Sequence, residues 1–156
     1  MLHHQEYALA NQFDYMVFRA QQELEVREAE TPGILDGGLD QDYYVFTNLF
    51  FQKEYLTQDE HELCERTYHV LRASLPAPDL IIWMKAPVEL IAERYNRRNR
   101  RLDITQIEDM QVIDKLLEKW LADFPSGEVF VIDAAAEDKG YSRVIPMVRD
   151  KIDSLA

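Results

Sequence analysis

Two stretches of the chain are apolar almost without a break: Leu80-Ile81-Ile82-Trp83-Met84, and Val129-Phe130-Val131-Ile132 ending on Asp133. Runs of that length and make-up predict strands buried on both faces, as in a parallel sheet. Between and before them the apolar residues repeat at helical spacing. Leu9, Phe13, Met16, Val17, Ala20 and Leu24 predict a helix from residue 5 to about 29, with Gln12, Tyr15 and Arg19 on a second stripe. Thr31-Pro32-Gly33 stops it. Ile34-Leu35-Asp36 followed by Gly37-Gly38 reads as a short buried strand ending on a carboxylate, or as a plain turn. The aromatic-rich segment from Tyr43 to Tyr55 predicts a helix with Tyr43, Phe46, Phe50 and Phe51 on one face.

Thr57-Gln58-Asp59-Glu60 fits a capping box opening a helix with Leu63, Thr67, Val70, Leu71 and Leu75 inward. Pro87 suits the first turn of the helix after the Leu80 strand, whose stripe is Val88, Ile91, Ala92 and Tyr95. A second capping box, Thr105 to Glu108, precedes a stripe of Ile113, Leu116, Leu117, Trp120 and Leu121. The last helix carries Val144, Ile145, Val148 and Ile152 inward. Strands alternating with helices predict a three-layer α/β fold, a parallel sheet flanked by helices. Ligands in such folds bind beyond the carboxyl ends of the strands, where Asp36, Lys85 to Pro87 and Asp133 fall.

At 156 residues with 47% hydrophobic and 29% charged residues, the chain reads as one domain with a buried core. It shows no signal-peptide pattern and no membrane-length apolar run, and its one cysteine, Cys64, makes no disulfide framework. A cytoplasmic location is the default. The net charge of −12 argues against a nucleic-acid polymer as partner. Against that background Arg94, Arg97, Arg98, Arg100 and Arg101 stand out. They suit a small anion such as a nucleotide phosphate, or equally a solvated face paired with Glu89, Glu93 and Asp103.

Taken together, the order of these residues resembles the deoxynucleoside kinase family over nearly the whole chain. That family has a base-reading helix with Gln followed seven residues later by Arg, here Gln12 and Arg19. It then has a strand ending Asp/Glu-Arg-Ser and an acidic residue four positions on. Here Asp36-Gly37-Gly38 and Asp42 stand there, so Gly37 replaces the Arg and Gly38 the Ser. The family's lid, Arg-x-x-x-Arg-Gly-Arg-x-x-Glu, is matched by Arg94, Arg98, Asn99, Arg100 and Asp103.

The resemblance implies transfer of the γ-phosphate of ATP to the 5′-hydroxyl of a deoxynucleoside, with ATP and Mg²⁺ as cofactors and a homodimer as assembly. By the same resemblance Gln12, Arg19 and Asp42 hold the base and Asp103 the sugar. Asp36 lies near the metal, Arg94, Arg98 and Arg100 stabilise the transferred phosphate, and Lys139 packs near adenine. The two groups are expected to face one another across the strand tips.

The family also begins with a strand and a phosphate-cradling Gly-x-x-x-x-Gly-Lys-Ser/Thr loop. None of Gly33, Gly37, Gly38, Gly127 and Gly140 can make it. The chain is therefore expected to lack the first strands, to be an N-terminally shortened form of a longer protein, and to be inactive by itself. The alternative is a non-catalytic binding or assembly module.

Overall fold

The computed structural model describes residues 6–98, 107–124, 129–136 and 140–155. The chain divides into two compact units, Met1–Ala77 with Val112–Trp120, and Pro78–Gln111 with Leu121–Ala156.

The first unit is helical. It contains α1 (Ala8–Arg27), a single turn α2 (Leu39–Gln41), a π-helix (Asp42–Thr47), α3 (Asn48–Gln52) and α4 (Gln58–Ala73). The middle of α6 (Met110–Ala122) also belongs here. The Thr57 capping box forms as expected: the Thr57 N–H donates to Glu60 Oε2 at 2.8 Å and the Glu60 N–H to Thr57 Oγ1 at 3.3 Å. At the other end of α4, Arg27 donates to the carbonyls of Pro76 at 2.8 Å and Ala77 at 3.2 Å.

The core of this unit gathers Met16, Ala20, Leu39, Tyr43, Leu49, Phe50, Leu56, Cys64, Tyr68 and Leu75. Two helices present different faces from those expected. On α1 the buried residues are Ala8, Gln12, Met16, Ala20 and Glu23, while Val17 and Leu24 are exposed. On α4 Cys64 and Tyr68 are buried, Leu63 is exposed and Val70 is 70% exposed. Polar contacts and ring stacking decide the rotation. Tyr68 stacks on Tyr43 with ring centroids 4.2 Å apart, and Glu23 reaches Arg72.

Residues 34–36 form no strand, and Ile34 is 71% exposed. A strand exists only through a hydrogen-bonding neighbour. Two apolar residues before two glycines bring none here, so the turn reading holds.

The second unit carries the sheet. β1 (Ile81–Lys85) pairs in parallel with β2 (Val129–Asp133), in register from Ile81 opposite Val129 to Lys85 opposite Asp133. Both apolar runs thus become parallel strands, as expected. Helix α5 (Val88–Arg98) follows β1 and α7 (Val144–Asp153) follows β2. The α5 stripe of Val88, Ile91, Ala92 and Tyr95 is half-buried as its spacing requires. The strands are less covered than expected, with Met84 42% and Val131 50% exposed, and on α7 Ile145 is exposed. A two-stranded sheet buries little of either face. The second capping box begins at Thr105, outside the described residues, and Ile107–Asp109 is a 3₁₀ turn leading into α6.

No helix among the described residues is long and apolar enough to cross a membrane.

Candidate functional site

From Asp42 to Thr47 the backbone winds as a π-helix, a wider turn than the α-helix expected from its aromatic spacing. Side chains brace it. Asn48 Nδ2 donates to the carbonyls of Tyr43 at 3.0 Å and Tyr44 at 3.2 Å, and the Thr47 hydroxyl lies 3.1 Å from the Asp42 carbonyl. Tyr43 is buried against Tyr68, and Tyr44 stacks on Trp120 at 5.8 Å. The turn is thereby held on both sides, with Asp42 itself 5% exposed.

Both polar residues of α1 singled out by their seven-residue spacing converge on this turn. Gln12 is 3% exposed, and its Oε1 lies 2.8 Å from Thr47 Oγ1. Arg19 Nε faces Asp42 Oδ2 at 3.5 Å, while Arg19 Nη1 donates to Gln22 Oε1 at 3.0 Å. The 3.5 Å separation is longer than the roughly 2.7–3.2 Å of an N–H···O bond. Both atoms are buried without a hydrogen-bond partner among the described residues. Burial pushes the Asp42 carboxyl up to about 6, and the attraction of Arg19 offsets only part of that. A buried ion pair that stops short of a hydrogen bond is costly to hold, and a ligand carrying donors and acceptors would satisfy it.

Next to this set lies a network that the sequence reading missed. Arg72 of α4 donates to Glu23 through Nη1 at 2.9 Å and Nη2 at 3.1 Å, and its Nε lies 3.0 Å from Asp40 Oδ1. Tyr68 donates its hydroxyl proton to the same Asp40 oxygen at 2.7 Å. Glu23 Oε1 also accepts the N–H of Leu39 at 3.1 Å, tying the start of α2 to α1. Burial raises the Asp40 carboxyl above its ordinary range, against the opposing pull of Tyr68 and Arg72. One signal was available in the sequence: Glu23 continues the Gln12-Met16-Ala20 stripe, so a carboxylate stands in line with buried positions.

Asp36 is exposed at the head of the Gly37-Gly38 turn. Gly37 has φ +74°, the left-handed region open to glycine. A Cβ there would stand 2.8 Å from Gln41 Oε1 and 3.5 Å from Arg19 Nη2. The local backbone is therefore built for glycine where the arginine of the Asp/Glu-Arg-Ser motif would sit.

In the second unit the carboxyl ends of the strands bring Lys85 and Asp133 together in register. The Ala134 N–H donates to the Lys85 carbonyl at 2.8 Å, and Arg94 Nη2 donates to the Ala134 carbonyl at 2.9 Å. Arg94 is thus anchored at the strand tips. Arg97 pairs with Glu93 at 2.7 Å on the exposed face, as the solvated-face reading has it. The backbone of Arg98 ends α5, and Arg100, Asp103 and Lys139 lie outside the described residues.

A family model described as deoxynucleoside kinase matches residues 2–153. The chain belongs to the deoxynucleoside kinase family. A deoxyguanosine kinase of Bacillus subtilis (strain 168) is 29% identical over 124 residues, 71% of this chain. The chain spans 58% of the length of that relative. Among solved structures, deoxyadenosine kinase from M. mycoides, with dCMP and a flexible dCDP bound, superposes with a TM-score of 0.76 at 19% identity. The match covers 96% of this chain and 76% of that one, and shows the α/β P-loop-kinase fold.

Kinases of this family use ATP with Mg²⁺. Among the described residues no three His, Cys, Asp or Glu side chains gather in a metal-binding group, and Asp36 offers a single exposed carboxylate. The glycines of the chain stand outside any phosphate-cradling pattern. These residues do not make up an ATP and metal site by themselves.

Proposed function

We propose that this chain is the nucleoside-binding part of a deoxynucleoside kinase that transfers the γ-phosphate of ATP to a deoxynucleoside 5′-hydroxyl in the cytoplasm. The observation that carries this reading is the Arg19–Asp42 contact, whose Nε and Oδ2 atoms are buried 3.5 Å apart without a hydrogen-bond partner among the described residues, on the turn whose Thr47 meets the buried Gln12 amide. A base edge offers donors and acceptors in one plane, which would meet the unpartnered Arg19 Nε and Asp42 Oδ2 atoms. In this reading Gln12, Arg19 and Asp42 hold the base, and Asp103 meets the sugar hydroxyl. Asp36 serves the metal region, Arg94, Arg98 and Arg100 the phosphates, and Lys139 the adenine. The chain alone binds nucleoside and transfers no phosphate, for want of an ATP cradle. The exposed Val17, Phe18 and Leu24 on α1 suit a second copy of the chain as partner.

Calorimetric titration of the chain with deoxynucleosides and with ATP tests this. Heat from a deoxynucleoside and none from ATP is the expected outcome. Heat from neither removes the reading. It would leave a second one, a non-catalytic assembly module, which the glycine-specific backbone at Gly37 favours.

A further inference from the structure

Glu23, Asp40 and Asp42 are all buried, and two arginines, Arg19 and Arg72, pair with them. Local spacing alone favours a different pairing. Arg19 and Glu23 stand four apart on α1, where opposite charges on a helix meet. The Gly37-Gly38 turn touches both: a Cβ on Gly37 would stand 3.5 Å from Arg19 Nη2, and one on Gly38 3.4 Å from Glu23 Oε1. Asp40 lies two residues before Asp42. Arg72, arriving from α4, takes both of these carboxylates. It donates to Glu23 at 2.9 and 3.1 Å, and its Nε stands 3.0 Å from Asp40 Oδ1. Arg19 is left facing Asp42 at 3.5 Å, with Arg19 Nε and Asp42 Oδ2 unpartnered among the described residues. The close contacts of one arginine and the loose contact of the other are two sides of one sorting.

We infer that Arg72 is a positioning residue: by occupying Glu23 and Asp40 it keeps Arg19 facing Asp42, and so keeps that pair open to a base. Without Arg72, Glu23 and Asp40 are buried carboxylates lacking a cation, a costly state. Arg19, one helical turn from Glu23, is drawn to them and turns away from Asp42. A base then meets a lone carboxylate in place of a guanidinium and carboxylate side by side. A strut acts differently, since its loss lowers stability without changing which carboxylate Arg19 faces. The part of this inference that concerns binding rests on the proposal that Arg19 and Asp42 face a base.

Two measurements on the full chain test it. The first is a double-mutant cycle read by thermal unfolding, and it needs no ligand. Arg19→Gln should lower the unfolding midpoint in the Arg72→Gln background by ~3 °C or more beyond its effect in the wild type. The second is calorimetry with deoxyadenosine, deoxyguanosine and deoxycytidine, at a temperature where thermal unfolding shows every variant folded. Arg72→Gln should weaken the tightest-bound of the three roughly tenfold or more. Adding Glu23→Gln and Asp40→Asn removes the competing charges and should return the affinity to within about threefold of wild type. Tyr68→Phe lowers stability while leaving Arg72 on Glu23, and should likewise keep the affinity within about threefold. Arg72→Lys takes the place of Arg72→Gln in both measurements if the glutamine variant fails to fold, since one ammonium lacks the fork that spans both carboxylates. Additive effects of the Arg19 and Arg72 changes on stability, an unchanged affinity in the Arg72 variant, or a loss that persists in the triple variant would overturn the role of Arg72. Coupled stabilities with no nucleoside bound by the wild type would instead overturn the nucleoside reading.

Discussion

The two units treat charge in opposite ways. In the first, Arg19, Glu23, Asp40, Asp42 and Arg72 are drawn into a core of stacked tyrosines, where each carboxylate or guanidinium has a defined neighbour. In the second, the described cations sit on a helix face or at the strand tips, with Arg97 and Glu93 both largely exposed and Arg94 bonded to a backbone carbonyl. Burial makes a charge expensive and therefore geometrically exact in its demands. Exposure leaves it cheap and adaptable. A base is recognised by fixed planar hydrogen bonding, and the first arrangement suits it.

The sharpest way to break this contrast is Arg72→Met. It leaves Glu23 and Asp40 buried without their cation and should cost about 3–5 kcal/mol in denaturant unfolding. A loss no larger than that of a surface change would mean that the network is not the strut it looks like. Tyr68→Phe removes the 2.7 Å bond to Asp40 and should cost about 1–3 kcal/mol by the same measurement.

Asp42 sharpens the comparison through pH. Its folded value of about 6 lies above the ordinary 3.8, so between those two values the folded chain holds a proton that the unfolded chain has released. Its contribution to stability is therefore full below the ordinary value and is lost as pH rises through about 6. A base that donates to the ionised carboxylate reverses the preference, so nucleoside affinity should fall as pH drops through the same value. Asp42→Asn should flatten both profiles, read by thermal unfolding and calorimetry. The smallest effect belongs to the second unit: Glu93→Gln breaks an exposed pair and should change stability by less than ~0.5 kcal/mol.

The sequence reading reached the elements whose cause is local. Both strands come from unbroken apolar runs, and the Thr57 cap from four consecutive residues. It also reached Gln12, Arg19 and Asp42 as one set, because two share a helix stripe and the third falls at the motif's acidic position. It did not reach what depends on distant partners. Arg72 and Glu23 are 49 residues apart, and no local pattern joins them. This pair lies on the faces that α1 and α4 turn inward in place of their most apolar ones. The π-helix was hidden as well, since Thr47 and Asn48 hold it through side-chain bonds that an aromatic spacing does not display. The strand expected at 34–36 needed a neighbour that local sequence cannot supply.

What matters most is where a base would lie, and a structure of the chain in complex with a deoxynucleoside measures it. The base edge should stand within about 3.2 Å of the Gln12 amide, with the Arg19–Asp42 pair completing its hydrogen bonds. A base bound elsewhere, with Gln12 and Asp42 left as they are, would contradict the account.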